Sequence, residues 1–376
     1  MNKVTRVIII AVILVAMLTG CNANTLQPVS ENSGTSSSPE SGDAEEQAPS
    51  EEADDNPYLS ITYIKENENS STGWDTVFYT YDINSKTLKE ECIFPCDTGY
   101  ASGVVSKYDN AVYYSANTVE GDFSANSLWK YDIATGESTI IDNENHSYND
   151  ILLVDRNTLL LMMITDKDQR PIMPVTFDLT SKEFTYMADV NDEPFIYTSG
   201  PTTPIYNYKT QEFACIYWKR NEDHGDNGYT SCETAIDHYL TVTSKDLVKD
   251  KSKSFTHRAK IDEMNMDAAV QISENEFLVT MENAPRSDVI EYYSLVFGED
   301  GTTFTKVDCP YPDSDYVMNL YTIDGGKTFF FYLYGDRRGN PNGVYSYDTE
   351  TDELTPVLLN DEKTKGHYVN FSIVGP

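Results

Sequence analysis

The chain has 376 residues with 27 Lys and Arg against 61 Asp and Glu, which gives a formal net charge of −34. Such an acidic protein cannot neutralise a run of phosphates, so nucleic acid and an electrostatic hold on anionic lipid are excluded as binding modes. Its 39% of hydrophobic residues, with 27 Tyr and 15 Phe, excludes global disorder, and the excess of aromatic and β-branched residues favours an all-β fold.

The first 21 residues are typical of an export signal. Lys3 and Arg6 precede a short apolar run at 7–18, which is too short to span about 30 Å of hydrocarbon. The sequence that follows, Leu18-Thr19-Gly20-Cys21, resembles the lipobox of bacterial lipoproteins. That resemblance implies cleavage before Cys21, a diacylglycerol on its thiol and stable anchoring to the membrane by acyl chains. The alternative is an ordinary secretory signal followed by a coincidental Cys.

Residues 22–57 are predicted to be a disordered acidic linker. They contain no Lys or Arg and are rich in Ser, Pro and Glu, so they cannot bury enough apolar surface to fold. A flexible coil of this length has a root-mean-square reach of roughly 35 Å. With +2 on the leader and −9 on the linker, −27 of the total −34 belongs to residues 58–376, the predicted folded domain.

Two classes of short hairpin alternate along the domain. In the first class an aromatic residue ends a strand, and usually an Asp follows that can accept hydrogen bonds from the next backbone N–H groups. Copies of this class begin at Tyr81, Tyr131, Phe177, Phe297 and Tyr347, with a less clear copy near Thr243. The second class lies between them, at 106–110, 154–157, 208–211, 272–275 and 323–326. Two hairpins in each repeat indicate four strands per unit, which is a β-propeller blade.

The repeat count predicts six blades, with seven as the alternative. The first unit shows only three strands, whereas segment 367–374 is one strand left over. We therefore expect this last strand to complete the first blade and remove its free edge. Seven blades would require 207–212 to be another first-class hairpin, but this segment fits better within a long fourth blade. The pattern is similar to TolB-like six-bladed propellers and carries no family-specific catalytic motif.

The long polar loops are expected on the face opposite the hairpins, where binding residues usually lie. Arg residues are concentrated in these loops: Arg170, Arg220, Arg286, Arg337 and Arg338. Guanidinium groups suit carboxylate, phosphate or sulfate, so convergent Arg side chains predict an anionic ligand in the propeller mouth. The alternative is that each Arg pairs with a neighbouring Asp. Trp74 is a candidate for stacking on a sugar, although strand aromatics usually belong to the core.

A weak calcium site is predicted in the loop of the fourth blade. Asp223, Asp226 and Asn227 lie around two Gly residues and supply the oxygen ligands that Ca²⁺ prefers. The segment lacks the spacing of an EF-hand, and a solvated acidic loop is the alternative. No other cofactor is expected.

An exported location permits disulfides. Cys215 and Cys232 flank the long loop of the fourth blade and are candidate partners, and Cys92 and Cys96 are close enough in sequence to pair across a bend. Cys309 would then be unpaired, either buried or as a free thiol.

The sequence lacks the motifs of the common enzyme classes: no G-x-S-x-G elbow, no H-E-x-x-H and no Walker loop. We therefore expect a lipid-anchored, non-catalytic binding module for a glycan, a peptide or an envelope protein, on the outer cell face or in the periplasm. One alternative is a propeller enzyme, a glycan hydrolase or lyase, with two or three acids and a His converging in the channel. Another is a structural or assembly component of the envelope with an exposed apolar patch.

Overall fold

The computed structural model of the protein describes residues 56–69, 73–95, 101–117, 126–143, 147–164, 172–186, 204–210, 212–221, 231–240, 248–260, 264–283, 290–312 and 314–375. These residues form strands and turns, which confirms the predicted all-β fold. No helix among them is long and apolar enough to cross a membrane. The predicted leader with its lipobox, the linker as far as residue 55 and the hairpin near Thr243 lie outside the described residues.

The described strands pair into six four-stranded antiparallel sheets, numbered here along the chain. Sheet 1 contains β24 (His367–Val374), β1 (Tyr58–Glu66), β2 (Trp74–Asp82) and β3 (Thr87–Pro95); sheet 2 contains β4 (Gly103–Ser106), β5 (Ala111–Asn117), β6 (Asn126–Asp132) and β7 (Glu137–Asp142); sheet 3 contains β8 (Ser147–Asp155), β9 (Thr158–Ile164), β10 (Ile172–Asp178) and β11 (Phe184–Tyr186). Each set is given in its spatial order across the sheet.

The other three sheets have the same order. Sheet 4 contains β12 (Pro204–Asn207), β13 (Glu212–Asn221), β14 (Ser231–Leu240) and β15 (Val248–Lys260); sheet 5 contains β16 (Met264–Ser273), β17 (Glu276–Asn283), β18 (Ile290–Gly298) and β19 (Gly301–Val307); sheet 6 contains β20 (Ser314–Thr322), β21 (Thr328–Asp336), β22 (Gly343–Asp348) and β23 (Glu353–Leu359). Four strands per sheet agree with the predicted blade, and no seventh sheet occurs within the described ranges.

Neighbouring sheets contact one another around a ring. Strand β4 contacts β1, β8 contacts β4, β16 contacts the four strands of sheet 4, β20 contacts β16, and β24 contacts β20. Sheets 3 and 4 are joined by the Tyr206 hydroxyl, which donates a hydrogen bond to the Val154 carbonyl at 3.2 Å. Strand β24 also contacts β8. The strand given first for each sheet therefore faces the central channel of a propeller. These inner strands are β24, β4, β8, β12, β16 and β20.

The last strand completes the first sheet, as the sequence predicts. Strand β24 pairs with β1 from Val374 opposite Tyr58 to His367 opposite Ile64. The connection that leads into β24 packs tightly on Tyr63, since any Cβ at Gly366 would collide with the ring and hydroxyl of that tyrosine. Gly366 therefore permits the close approach that seats the closing strand.

The aromatic residue that ends the strand of a first-class hairpin is mostly a core residue. Tyr81, Phe177, Phe297 and Tyr347 are each buried. The core itself consists of clusters shared between neighbouring sheets, such as the one that joins Tyr58 of sheet 1, Val104 of sheet 2 and Leu161 of sheet 3. The hydrophobic effect thus holds each blade against the next one.

The Asp that follows the aromatic residue has the predicted turn chemistry. Asp82 Oδ1 accepts the Ser85 N–H at 2.6 Å, and Asp348 Oδ1 accepts the Thr351 N–H at 2.9 Å. These backbone donors hold the pKa of both carboxyl groups below the usual range. The turns are therefore determined by local hydrogen bonding.

The fifth residue of these turns, with the Asp counted as the first, adopts a positive φ, which favours Gly. It is Lys86 at 55° in the first sheet and Gly136 at 74° in the second. We expect Lys86→Gly to raise the free energy of unfolding and Gly136→Lys to lower it, each by about 1 kcal/mol, because the left-handed conformation strains a residue with a Cβ. A Cβ at Gly136 would meet only the Tyr131 hydroxyl at 3.7 Å, so no clash contributes. Denaturant unfolding of both variants measures the effects, and shifts of the same sign would contradict the explanation.

Candidate functional site

The two ends of the channel differ in what forms them. The turns between first and second strands, and between third and fourth strands, lie at one end, which we name the hairpin face. The strand ends that lead into the loops between second and third strands, and into the connections between sheets, lie at the other end, which we name the open face. Most of those loops lie outside the described residues. This division follows from the antiparallel order of every sheet.

Side chains close the channel at the hairpin face. The Tyr108 hydroxyl of sheet 2 donates a hydrogen bond to the carbonyl of Gly375 at 3.0 Å. The Tyr208 ring of sheet 4 lies directly against Gly375, so that a Cβ added there would be 2.5 Å from the ring. The Lys209 ammonium donates a hydrogen bond to the Ile323 carbonyl of sheet 6. Sheets 1 and 4 are opposite in the ring, so the contact between Tyr208 and Gly375 crosses the axis at this end.

Three polar residues on inner strands form a group that we name the channel cluster: Asp150 on β8, Tyr321 on β20 and Tyr368 on β24. Tyr321 and Tyr368 pack in the core between sheets 6 and 1. Burial raises the pKa of both Tyr321 and Tyr368, and the negative charge of Asp150 adds to the increase. Sheets 3 and 6 are opposite each other, so the interaction between Asp150 and Tyr321 reaches across the axis. Within the described ranges, Asp150 is the only carboxylate that acts on these two hydroxyls.

Asp150 is surrounded by protein but keeps some solvent-accessible surface. Burial disfavours its charged form and raises the pKa of the carboxyl group to about 6. No described residue donates a hydrogen bond to it or pairs with its charge. A deep carboxylate that still touches solvent is typical of a residue lining a narrow water-filled channel.

Aromatic residues continue from the channel cluster towards the open face. Tyr368 stacks on Tyr332 with ring centroids 4.7 Å apart, and the Asn360 amide donates a hydrogen bond to the Tyr332 hydroxyl at 2.8 Å. Tyr334, two residues further along β21, is 52% exposed. Asn360 lies in the connection between sheets 6 and 1, on the open face. The stacked tyrosines therefore link the channel cluster to the surface.

Trp74, the predicted stacking residue, also lies at the open face. It begins β2, and its ring meets that of His367, the first residue of β24, edge to face at 6.2 Å. An ion pair between Lys365 and Glu66 at 2.7 Å lies beside them. Trp74 is partly buried and lies at the open face, next to the start of the inner strand β24.

The predicted Arg cluster is described only in part. Arg170 and Arg286 lie outside the described residues. Arg220 is placed within β13, opposite Cys232, so its prediction as a loop residue is wrong, because β13 and β14 extend further than expected. Arg338 pairs with Asp352 at 3.0 Å and lies over the Tyr311 ring, so its charge is already compensated there. Burial raises the pKa of the Cys309 thiol, and the charge of the exposed Arg337 offsets a small part of this increase.

The register of sheet 4 contradicts one predicted disulfide. Cys215 lies opposite Asp237, whereas Cys232 lies opposite Arg220. The two cysteines are thus five residue pairs apart, or about 17 Å along the strands, which is far beyond the reach of a disulfide.

The remaining cysteine and metal predictions have different outcomes. Cys92 is a buried free thiol, with a pKa that burial raises to about 12, and Cys96 lies outside the described residues. Cys309 is also a free thiol, and its Sγ donates to the Tyr311 carbonyl at 3.1 Å. Asp223, Asp226 and Asn227 lie outside the described residues, so the calcium site stays a prediction. Elsewhere in the described part of the chain, no group of three His, Cys, Asp or Glu is placed to hold a metal ion.

No family model matches the sequence, and no curated protein matches it. Among solved structures, the chain is similar to TolB from Acinetobacter baumannii, with 11% identity over 83% of this chain and a TM-score of 0.43. It spans 66% of that structure, just under two thirds of its length.

Two further solved structures are similar to the chain. An oligogalacturonate lyase in complex with manganese has 14% identity over 81% of this chain and 86% of its own, with a TM-score of 0.42. The β-propeller domain of the Trilobed protease from Pyrococcus furiosus has 12% identity over 80% of this chain and 79% of its own, with a TM-score of 0.43. At such identities these likenesses concern the fold and not the activity.

The residues of the channel cluster were not singled out by the sequence. Asp150 interrupts the apolar strand that continues as Ile151-Leu152-Leu153-Val154, and a charged residue in such a position is a signal of a special environment. Tyr321 and Tyr368 resemble the many other strand tyrosines. Only the ring geometry brings the three together.

Asp150 should reduce stability at neutral pH. Its pKa rises from 3.8 to about 6 on folding, so the folded state holds its proton more tightly and loses stability as the pH rises between these values. We expect Asp150→Asn to raise the free energy of unfolding at pH 7.5 by about 2–3 kcal/mol and to change it little at pH 4. Denaturant unfolding at both pH values measures this, and a variant that is less stable than wild type at pH 7.5 would refute the assigned environment.

Proposed function

We propose that the chain is a lipid-anchored extracytoplasmic binding protein, built as one closed six-bladed propeller, whose ligand enters the channel from the open face. The observation that carries the proposal is what the described residues present at each end of the channel. Tyr108, Tyr208 and Gly375 close the hairpin face. The open face instead presents Trp74 and Tyr334, and the polar channel cluster lies below it.

The chemistry of the open face favours a ligand with flat or apolar surfaces that carries polar groups. Exposed aromatic rings stack on sugars and on peptide side chains, which fits a glycan or peptide of the cell envelope. Arg338 is compensated by Asp352, which weakens the support for an anionic ligand.

A catalytic function has less support from the described residues. A glycan hydrolase or lyase would require two or three acids and a His in the channel, whereas one carboxylate, that of Asp150, acts on the channel tyrosines. His367 lies at the open face beside Trp74. The enzyme and the structural component of the envelope both stay alternatives.

Anchoring is proposed on the resemblance of Leu18-Thr19-Gly20-Cys21 to a lipobox. We expect the wild-type protein to partition into the detergent phase of a Triton X-114 extract, and Cys21→Ser to shift it into the aqueous phase because no acyl chain is attached. Cys309→Ser removes a cysteine of the folded domain and serves as the control, which should remain in the detergent phase. Equal partitioning of the Cys21→Ser variant and the wild type would exclude the lipid anchor.

Binding at the open face is tested by co-sedimentation of the full chain with insoluble cell-wall peptidoglycan, which offers both glycan and peptide. We expect the double variant Trp74→Ala and Tyr334→Ala to bind about tenfold more weakly, because each lost stacking contact is worth about 1 kcal/mol. Ile140→Ala is the matched control, since Ile140 is 45% exposed and lies on β7, the strand of sheet 2 farthest from the channel. Wild-type protein that stays in the supernatant, or an unaffected double variant, would count against the proposal.

A further inference from the structure

Asp150 presents a negative charge that no described residue compensates. Burial of a carboxylate without a partner is unfavourable, so such a group is retained where it has a task. The other described acids of the site region are partnered, as Glu66 is by Lys365 at 2.7 Å. The channel thus contains an uncompensated charge at the position that a ligand entering from the open face would reach.

Two buried polar atoms, one of them on Tyr368 of the channel cluster, also lack partners. The Tyr368 hydroxyl is buried without any hydrogen bond, and the residue is only 9% exposed. The side-chain carbonyl of Asn360 is likewise buried and unpaired, while its amide bonds Tyr332. Buried polar atoms are nearly always satisfied, so these two point to a donor that the protein itself does not supply.

The chemistry of the cluster selects the kind of donor. A carboxylate and a hydroxyl oxygen can both accept hydrogen bonds, and an ammonium group offers three donors and a compensating charge. An anion would be repelled by Asp150, and a neutral hydroxyl would leave its charge uncompensated.

The charge of the whole chain acts in the same direction. A formal net charge of −34 generates a negative potential that attracts cations, and a channel with low-dielectric walls concentrates it. The long-range field and the channel cluster therefore favour the same sign of ligand.

We propose that the channel cluster of Asp150, Tyr321 and Tyr368 binds an ammonium group, such as a lysine side chain, carried by the ligand of the open face. This inference rests on the proposed binding function and names the group that the ligand must bear. It replaces the anionic ligand expected from the Arg residues.

The test uses two peptides that differ only in this charge: acetyl-Ala-Lys-Ala-amide and the same peptide with Nε-acetyl-lysine. We expect the full chain to bind the lysine peptide at least tenfold more tightly at pH 7.5, measured by isothermal titration calorimetry. Asp150→Asn should abolish the preference. Asp155→Asn removes a charge from the hairpin-face end of the same strand and should keep it.

The same titration at pH 5 adds an independent readout. The Asp150 carboxyl group has a pKa of about 6, so about nine tenths of it is protonated at pH 5, and the affinity for the lysine peptide should fall about tenfold. The lysine ammonium stays charged at both pH values. Tyr321 and Tyr368 are the titratable groups that face Asp150 from β20 and β24, and both remain protonated throughout. Asp150→Asn should bind with no such pH dependence.

The outcomes separate the two proposals. Equal affinity for the two peptides, no binding of the lysine peptide, or an Asp150→Asn variant that keeps the preference would overturn the ammonium site. Peptidoglycan binding that depends on Trp74 and Tyr334 would still support the open-face function in that case. Misfolding does not obscure the result, because Asp150→Asn is nearly isosteric and is expected to unfold at higher denaturant than the wild type.

Discussion

Pairing of β24 with β1 is the interaction on which the rest of the structure depends, because it brings sheets 6 and 1 together and turns a row of blades into a ring. The Tyr63 hydroxyl accepts the Asp361 N–H at 3.0 Å although the two residues are 298 apart in sequence. Closing so long a loop is entropically unfavourable and slow. The apolar surface between sheets 6 and 1 becomes fully buried only when the ring is complete. Residues of opposite sheets can meet on the axis only after this step.

The sequence predicts those parts of the fold that depend on local chemistry. The turns at Asp82 and Asp348 follow from a carboxylate three residues before a backbone donor, and strand 367–374 follows from the repeat, which leaves one strand over for a first unit of three. The pairing of Cys215 with Cys232 was predicted wrongly because it depends on the register of two long strands. Asp150, Tyr321 and Tyr368 come from three different sheets, so no spacing along the chain reveals that they meet.

The channel illustrates how a stable scaffold accommodates unfavourable groups. Sheets 1 and 2 are joined by favourable contacts: the Tyr58 hydroxyl donates to the Val105 carbonyl at 2.8 Å, and its ring lies beneath the Lys107 ammonium. Against this background, an uncompensated Asp150 and an unpaired Tyr368 hydroxyl concentrate local instability on the axis. Rigid surroundings commonly hold unpaired polar groups in binding sites, because a bound ligand then supplies the missing hydrogen bonds and charge.

The first strand begins and the last strand ends at the hairpin face. Tyr58 lies opposite Val374, and Asn56 accepts a hydrogen bond from Asn84 of a hairpin turn at 2.7 Å. These strand ends therefore lie at the end of the channel opposite to the open face. A polymer much longer than the propeller is wide could lie over that face and insert one side group into the channel, so that recognition would not require a free polymer end.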